Sequence, residues 1–279
     1  MLENRYVIFT DLDGSLLDHD TYSHSAADQT LAKLHQLNIP VIPNTSKTAA
    51  ELEELHQELA LDAPFIVENG AAVFIPKGYF AQQPDNTQPY REYWVKTFSK
   101  DRQHWLTLLA KVKNDFKGLF EHFATMTVQR ICDTTGLSFQ QAELAADRHF
   151  SEPVLWQGDG QQRQQFIDAL IQLGADPLQG GRFIHVSGEC SKGIAMQWLV
   201  DEFSRQGDAN DQYKSIAIGD SQNDVAMLEM ASIAVRILSP VQPLPELNRI
   251  QNLFTSTLPG PEGWSECIEI IMQQYFRSK

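Results

Sequence analysis

The hydrophobic pattern opens with Tyr6-Val7-Ile8-Phe9-Thr10, a β-branched and aromatic run that predicts a buried strand and stops abruptly at Asp11-Leu12-Asp13-Gly14-Ser15. Ala27, Leu31, Leu34 and Leu37 then recur at helical spacing, which predicts an amphipathic helix from about Ser25 to Leu37, stopped at Asn38. The run Ile39 to Pro43 predicts a second strand, brief or irregular because Pro40 and Pro43 cannot donate to a ladder. A polar turn, Asn44-Thr45-Ser46-Lys47-Thr48, leads into helical spacing at Leu52, Leu55 and Leu59. Phe65 to Val67 ends on Glu68-Asn69-Gly70, and Ala71 to Ile75 reads as a returning strand. Strands alternating with helices predict a parallel sheet with right-handed crossovers.

From Pro76 to Pro89 the composition shifts to Gly, Pro, Gln and Asn, which marks a hinge into a different unit. That unit mixes strand candidates (Tyr93 to Val95, Val154 to Trp156, Arg182 to Val186) with helices from about Arg102, after Ser138, and from Gln164 to Leu173. Ser138 and Gln141 have capping-box spacing. The first rhythm then returns, with a helix over Ser191 to Gln206, a strand over Lys214 to Ile218, the loop Gly219-Asp220-Ser221-Gln222-Asn223-Asp224, a helix to about Met230, a strand from Ile233 to Val235 and a last helix following Pro261-Glu262-Gly263-Trp264. The expected fold is α/β, a Rossmann-like doubly wound parallel sheet formed by residues 1–84 and 188–279, with residues 85–187 inserted as an α+β domain. There is no internal repeat.

The 279 residues are enough for a large core, and 42% hydrophobic with 21% charged residues is an ordinary globular composition. A net charge of -14 and the lack of a basic run argue against nucleic acid as a partner. No apolar segment approaches the ~20 residues of a bilayer span, and the N-terminus runs into a strand without a signal-peptide pattern, so a cytoplasmic protein without a membrane partner is expected, as monomer or homodimer. Cys132, Cys190 and Cys267 are odd in number and scattered, which fits a reducing compartment. His24, His35, His56 and His104 show no metal-binding spacing.

In an acidic chain the cations near carboxylates are informative. Ligands of open parallel sheets bind at the carboxyl ends of the strands. Asp11 with Asp13, Thr45 with Ser46 and Lys47, Lys192 at a helix start, and Asp220 with Asn223 and Asp224 all fall at such ends. Asp11 and Asp13, two apart in extended backbone, are expected to point the same way and to share a hard cation, Mg2+. Asp220, Asn223 and Asp224 share one helix face, and Gly14 lets the chain turn away without a Cβ. This chemistry fits phosphoryl transfer to an aspartate. Asp11 attacks phosphorus, and Asp13 moves the proton of the leaving oxygen and later of water. Thr45 and Lys192 hold phosphoryl oxygens, and Asp11, Asp13 (through its carbonyl), Asp220 and Asp224 are the candidate metal ligands.

These residues resemble the haloacid dehalogenase superfamily, whose motifs match Asp11 to Ser15, Thr45, Lys192 and Gly219 to Asp224. Ser15 stands where many relatives have Thr, and Ser46-Lys47 where Gly-Arg is frequent. The insertion resembles the cap of the branch that contains Cof-type sugar phosphatases. Within it Asp11 to Tyr22, Thr45 to Thr48, Arg148 to Val154, Gly180 to His185 and Gly260 to Trp264 look most like the mannosyl-3-phosphoglycerate phosphatases. The resemblance implies a Mg2+-dependent hydrolase of a phosphoglycerate that carries a mannosyl group, with a Cof-type phosphatase of other sugar phosphates and a sugar phosphomutase as alternatives. The cap is expected to carry specificity through Arg148, Glu152 and Arg182, with Gly14, Ser46, Lys47 and Asn223 completing the substrate contacts. Glu68 and Asn69 fit either a structural turn or the site, and Tyr22 and Trp264 are expected to pack.

Overall fold

The computed structural model describes residues 3–59, 61–180 and 182–276. In chain order the elements are β1 (Glu3–Thr10), α1 (Asp28–Gln36), β2 (Val41–Pro43), α2 (Ala49–Glu58), β3 (Phe65–Val67), β4 (Ala72–Pro76), β5 (Gln88–Tyr90) and β6 (Tyr93–Thr97). They continue with α3 (Arg102–Val112), β7 (Phe120–His122), α4 (Val128–Thr135), α5 (Phe139–Ala146), β8 (Glu152–Trp156), α6 (Gly160–Gln172), β9 (Leu178–Gln179) and β10 (Phe183–Val186). The chain ends with α7 (Lys192–Gln206), β11 (Asp211–Gly219), α8 (Val225–Met230), β12 (Ile233–Leu238), β13 (Leu253–Pro259) and α9 (Gly260–Tyr275).

The central sheet is parallel throughout, in the order β13-β12-β11-β1-β2. Strand parity covers it on both faces. Val7 and Phe9 of β1 pack with Ala195, Met196 and Leu199 of α7, whereas Ile8 packs with Trp264, Ile268 and Ile271 of α9. β2 lies at the sheet edge, where a proline that cannot donate does little harm, and it is as short as its prolines imply. From β1 the chain proceeds to β2 on one side, and β11 takes the other. The strand order therefore reverses between β1 and β11, the point at which such sheets bind ligands.

Two antiparallel sheets flank this core. One has the order β7-β8-β10-β9, with α3 and α6 on one face through Trp105, Leu108, Leu109, Phe166 and Leu170 against Val154, Ile184 and Val186. The other has the order β3-β4-β6-β5. Tyr93 to Val95, read from the sequence as the start of the inserted unit, pairs instead with Phe74 to Pro76 of β4. This sheet therefore runs across the boundary expected between residues 84 and 85. The physical reason is local, since the Pro- and Gln-rich segment forms a loop that returns the chain to the same sheet.

The turn from β3 to β4 holds the first sheet against the helix that follows the insertion. Glu68 and Asn69 both have positive φ, and a Cβ on Gly70 (φ 91°) would lie 2.2 Å from the Ser191 carbonyl oxygen. Gly70→Ala is expected to lower stability by at least the ~1–3 kcal/mol of a strained residue, because the clash meets backbone and cannot be relieved by a rotamer change. Urea denaturation measures this, and an unchanged midpoint would contradict the packing described.

Candidate active site

β1 delivers Asp11 to the switch point, where its amide donates to the Ile218 carbonyl at 2.8 Å and so ties it to the end of β11. The backbone does not stay extended beyond it. Leu17 N–H donates to Leu12 O at 2.8 Å and Gly14 N–H to Leu17 O at 2.9 Å, which folds residues 12–17 into a tight turn. Asp13 therefore lies in this turn rather than in extended strand, with its charge still acting on Asp11. Its half-exposed carboxylate pairs with Lys47 Nζ at 2.9 Å.

Asp11 faces Asp220 and Asp224, and one carboxylate oxygen from each lies within 4.8 Å of the others. Lys192, the first residue of α7, is buried beside them and donates to Asp11 Oδ1 and Asp224 Oδ1, both at 2.6 Å. Ser191 caps this helix through the Ile194 amide, and Asn44 Nδ2 donates to the Lys192 carbonyl at 3.0 Å. The second Asp224 oxygen accepts from the amides of Asp220 (3.1 Å) and Ser221 (3.0 Å) and from the Ser221 hydroxyl (3.1 Å). Asp224 thus holds Lys192 and its own loop, and Asp11 and Asp220 are the freer carboxylates. Gly14 serves packing, since a Cβ there would come within 2.7 Å of Asp220 Oδ2.

Three buried acids face a single ammonium, so charge is unbalanced. Burial raises the Asp11 pKa well above the usual range; Lys192 pulls it down, while Asp224 and Asp220 raise it further. Burial and Asp224 push Asp220 up to about 6. Burial works against the charge of Lys192, but Asp11 and Asp224 outweigh it and keep the ammonium pKa above its ordinary value. Buried oxygen ligands with an excess of negative charge suit a divalent cation. The residues present therefore fit such an ion.

Thr45 is buried at the end of β2, its carbonyl accepting the Asn69 amide at 2.9 Å and its hydroxyl the Lys47 amide at 3.2 Å. Lys47 lies between Asp13 and the Tyr22 ring, 5.2 Å from the ring centroid, with Glu51 3.9 Å away. Tyr22 is thus part of the cleft wall rather than of the core. Trp264 is buried and donates to Thr10 Oγ1.

The inserted unit closes over this cleft. β9 lies against the turn at 222–224, and Thr48 Oγ1 donates to Leu144 O at 2.9 Å. Arg148 donates to Ser46 O at 3.0 Å and to Ser151 Oγ, and pairs with Glu68 at 3.4 Å. The Glu68 carboxylate also accepts the His149 amide (2.8 Å) and the Ser151 hydroxyl (2.7 Å), so this turn residue is a clamp between the two units. Arg182 donates to the Thr134 and Thr135 carbonyls at the end of α4, and its charge reaches the Tyr22 hydroxyl.

Glu152 was expected to meet sugar hydroxyls and does not. It pairs with Val186 in the register of β8 and β10 and so faces α3, with its carboxylate taken by Arg102 (2.5 Å), His122 (2.8 Å) and the Ala124 amide (2.7 Å). Asn223 was expected among the substrate contacts, and its Nδ2 instead donates to Asn69 Oδ1 at 3.0 Å. Asn69 Nδ2 is buried without a partner, which adds Asn69 to the site. The sequence reading did not single out Gln242, which donates to Asp220 Oδ2 at 2.9 Å from a proline-rich loop that carries no periodic signal.

Among known proteins, the family described as haloacid dehalogenase-like hydrolase matches residues 8–131. The glucosyl-3-phosphoglycerate/mannosyl-3-phosphoglycerate phosphatase of Persephonella marina is 34% identical over 97% of this chain and 98% of its own. The mannosyl-3-phosphoglycerate phosphatase of Pyrococcus horikoshii is 33% identical over 82% of this chain and 88% of its own. The sucrose-phosphatase of Synechocystis sp. PCC6803, solved with sucrose and phosphate, shares the fold with a TM-score of 0.61 at 13% identity, covering 96% of this chain and 98% of that one.

Two expectations follow. Because folding raises the Asp220 pKa, the folded chain binds more protons than the unfolded one between the ordinary carboxyl value and about 6, so stability without metal falls as pH rises through that window. Mg2+ requires the ionised carboxylate and should therefore raise the melting temperature more at about pH 7.5 than at about pH 5; equal shifts would remove Asp220 from the ligand set. Glu152→Ala should destabilise the chain by about 3–5 kcal/mol, the cost of breaking a buried ion pair, with substrate preference unchanged. Denaturation and a substrate panel check both halves.

Proposed function

Because the chain belongs to the haloacid dehalogenase-like hydrolases and is a phosphatase, we propose that it removes the phosphoryl group of mannosyl-3-phosphoglycerate through an aspartyl-phosphate on Asp11. One observation carries the proposal: Asp11, Lys192, Asp220 and Asp224 converge at the strand-order reversal, with Asp13 in the adjoining turn, paired with Lys47. A carboxylate that carries a persistent phosphoryl group needs no second acid near it, whereas a turnover enzyme does.

In this reading Asp11 attacks phosphorus and the bond from phosphorus to the leaving oxygen breaks. Asp13 gives that oxygen its proton. Asp13 then takes a proton from water, whose oxygen attacks the phosphoryl-aspartate and frees phosphate and Asp11. Lys192 and the Thr45 hydroxyl hold phosphoryl oxygens, and the unpartnered Asn69 Nδ2 is a further donor for them. Mg2+, held by Asp11, Asp220 and the Asp13 carbonyl, would supply positive charge against the phosphoryl oxygens. Asp224 acts by holding Lys192 and the loop of Asp220. Phosphate monoester hydrolysis needs up to ~10²¹-fold acceleration and one acid/base residue supplies about 10²–10⁴, so charge and positioning carry the larger share.

The glycerate carboxylate falls to Arg182 and Lys47 at the Tyr22 side of the cleft, with Arg148 fixing Ser46. A cytoplasmic setting is consistent with free thiols at Cys132, Cys190 and Cys267, and no helix among the described residues is long and apolar enough to cross a membrane.

Phosphate release from mannosyl-3-phosphoglycerate, its glucosyl counterpart and plain hexose phosphates in Mg2+ tests the proposal. The mannosyl compound is expected to have the highest kcat/KM. Asp11→Asn should lose at least about 10³-fold with its melting curve retained. Release from hexose phosphates alone would move the chain to a generic sugar phosphatase, and an isomerised sugar phosphate as product would make it a mutase.

A further inference from the structure

The register of β10 sets its residues on alternate faces. Ile184 and Val186 enter the core under α3 and α6, so His185 faces the other way, in a row between Pro153 of β8 and Leu178 of β9. Between two apolar neighbours it is the only polar side chain in that row. At Phe183 that face packs on α4 and α5, but at His185 it borders the catalytic core: β9, which pairs with β10 there, lies against the turn at 222–224, and Arg148 and Lys192 are near enough for their charges to act on the imidazole. Burial and those two cations push its pKa down to about 3, so the ring is neutral at physiological pH. Its Nδ1 is buried and has no hydrogen-bond partner, and its Nε2 packs so closely on Gly180 that a Cβ there would come within 2.9 Å. A buried polar atom without a partner costs about 1–3 kcal/mol, and here that atom belongs to the cap wall of the cleft.

We propose that His185 is a specificity-determining residue that hydrogen-bonds, through Nδ1, a hydroxyl of the sugar part of the substrate. The chemistry of the neighbours selects a hydroxyl. Phosphoryl and carboxylate oxygens only accept, and Lys192, Lys47 and Arg182 compete for them with full charges. A hydroxyl both donates and accepts, so it satisfies either imidazole tautomer. Gly180, lacking a side chain, lets the Nε2 edge of the ring pack against its backbone.

This inference rests on the phosphatase reading with a glycosylated substrate, and the experiment separates the two. Wild type, His185→Leu and His185→Gln are compared on mannosyl-3-phosphoglycerate and on p-nitrophenyl phosphate, whose leaving group has no free hydroxyl. His185→Leu should lose kcat/KM on the mannosyl substrate about tenfold to a hundredfold more than on the aryl substrate, chiefly through KM, and His185→Gln should recover part of the difference. An equal loss on both substrates, or no loss on either, overturns the role of His185. If wild type releases phosphate from hexose phosphates and not from the mannosyl compound, the substrate assignment falls, and the same ratio measured on the hexose phosphate decides His185.

Discussion

The buried ammonium of Lys192 is the constraint on which the rest of this molecule depends. Removing such an ion from water costs several kcal/mol, and only carboxylates held at contact distance offset that cost. Asp11 and Asp224 meet it from opposite sides, one from the end of β1 and one from the start of α8. The arrangement exists because backbones approach closely around it. A Cβ on Gly219 would stand 2.4 Å from Asp224 Cγ, and one on Gly193 would stand 2.6 Å from the Ala226 carbonyl oxygen. Crowding holds the acids together and their mutual repulsion makes a cation favourable. The excess of negative charge at this point is thus built by packing.

Chemistry and recognition are divided between two layers. The parallel sheet places Asp11, Thr45, Lys192 and Asp220 at one edge. The inserted unit covers one face of β8 and β10 with α3 and α6, packs Phe183 of the other face against α4 and α5, and sets β9 against the turn at 222–224. Arg148 and Arg182 sit at the rim of that face, tied to backbone carbonyls that aim them.

The core of this picture was legible in the residue pattern for a simple reason. Asp11, Thr45, Lys192 and Asp220 each end a strand or start a helix, and in a parallel sheet those positions are forced to one edge. The extended backbone expected at Asp13 gives way to a turn, closed by the hydrogen bonds of Leu12 and Leu17, which residue spacing alone does not reveal. Glu152 was misjudged because its face depends on which residue of β10 it opposes, and pairing register between distant segments is not written in local spacing. The same uncertainty hid His185, whose side chain is set by that register. Tyr93 to Val95 was assigned to the insertion on composition, although strand pairing follows backbone geometry and ignores composition.

The turn at Glu68, Asn69 and Gly70 touches everything at once. Its amides meet the carbonyls of Lys47 and Thr45, Gly70 packs on Ser191, and the Glu68 carboxylate grips the inserted unit at residues 148–151. A rigid element shared by two equilibria couples them, and such coupling runs equally in both directions. Whatever ligand orders the loop of Thr45 strengthens the docking of the lid by the same factor by which docking strengthens the ligand.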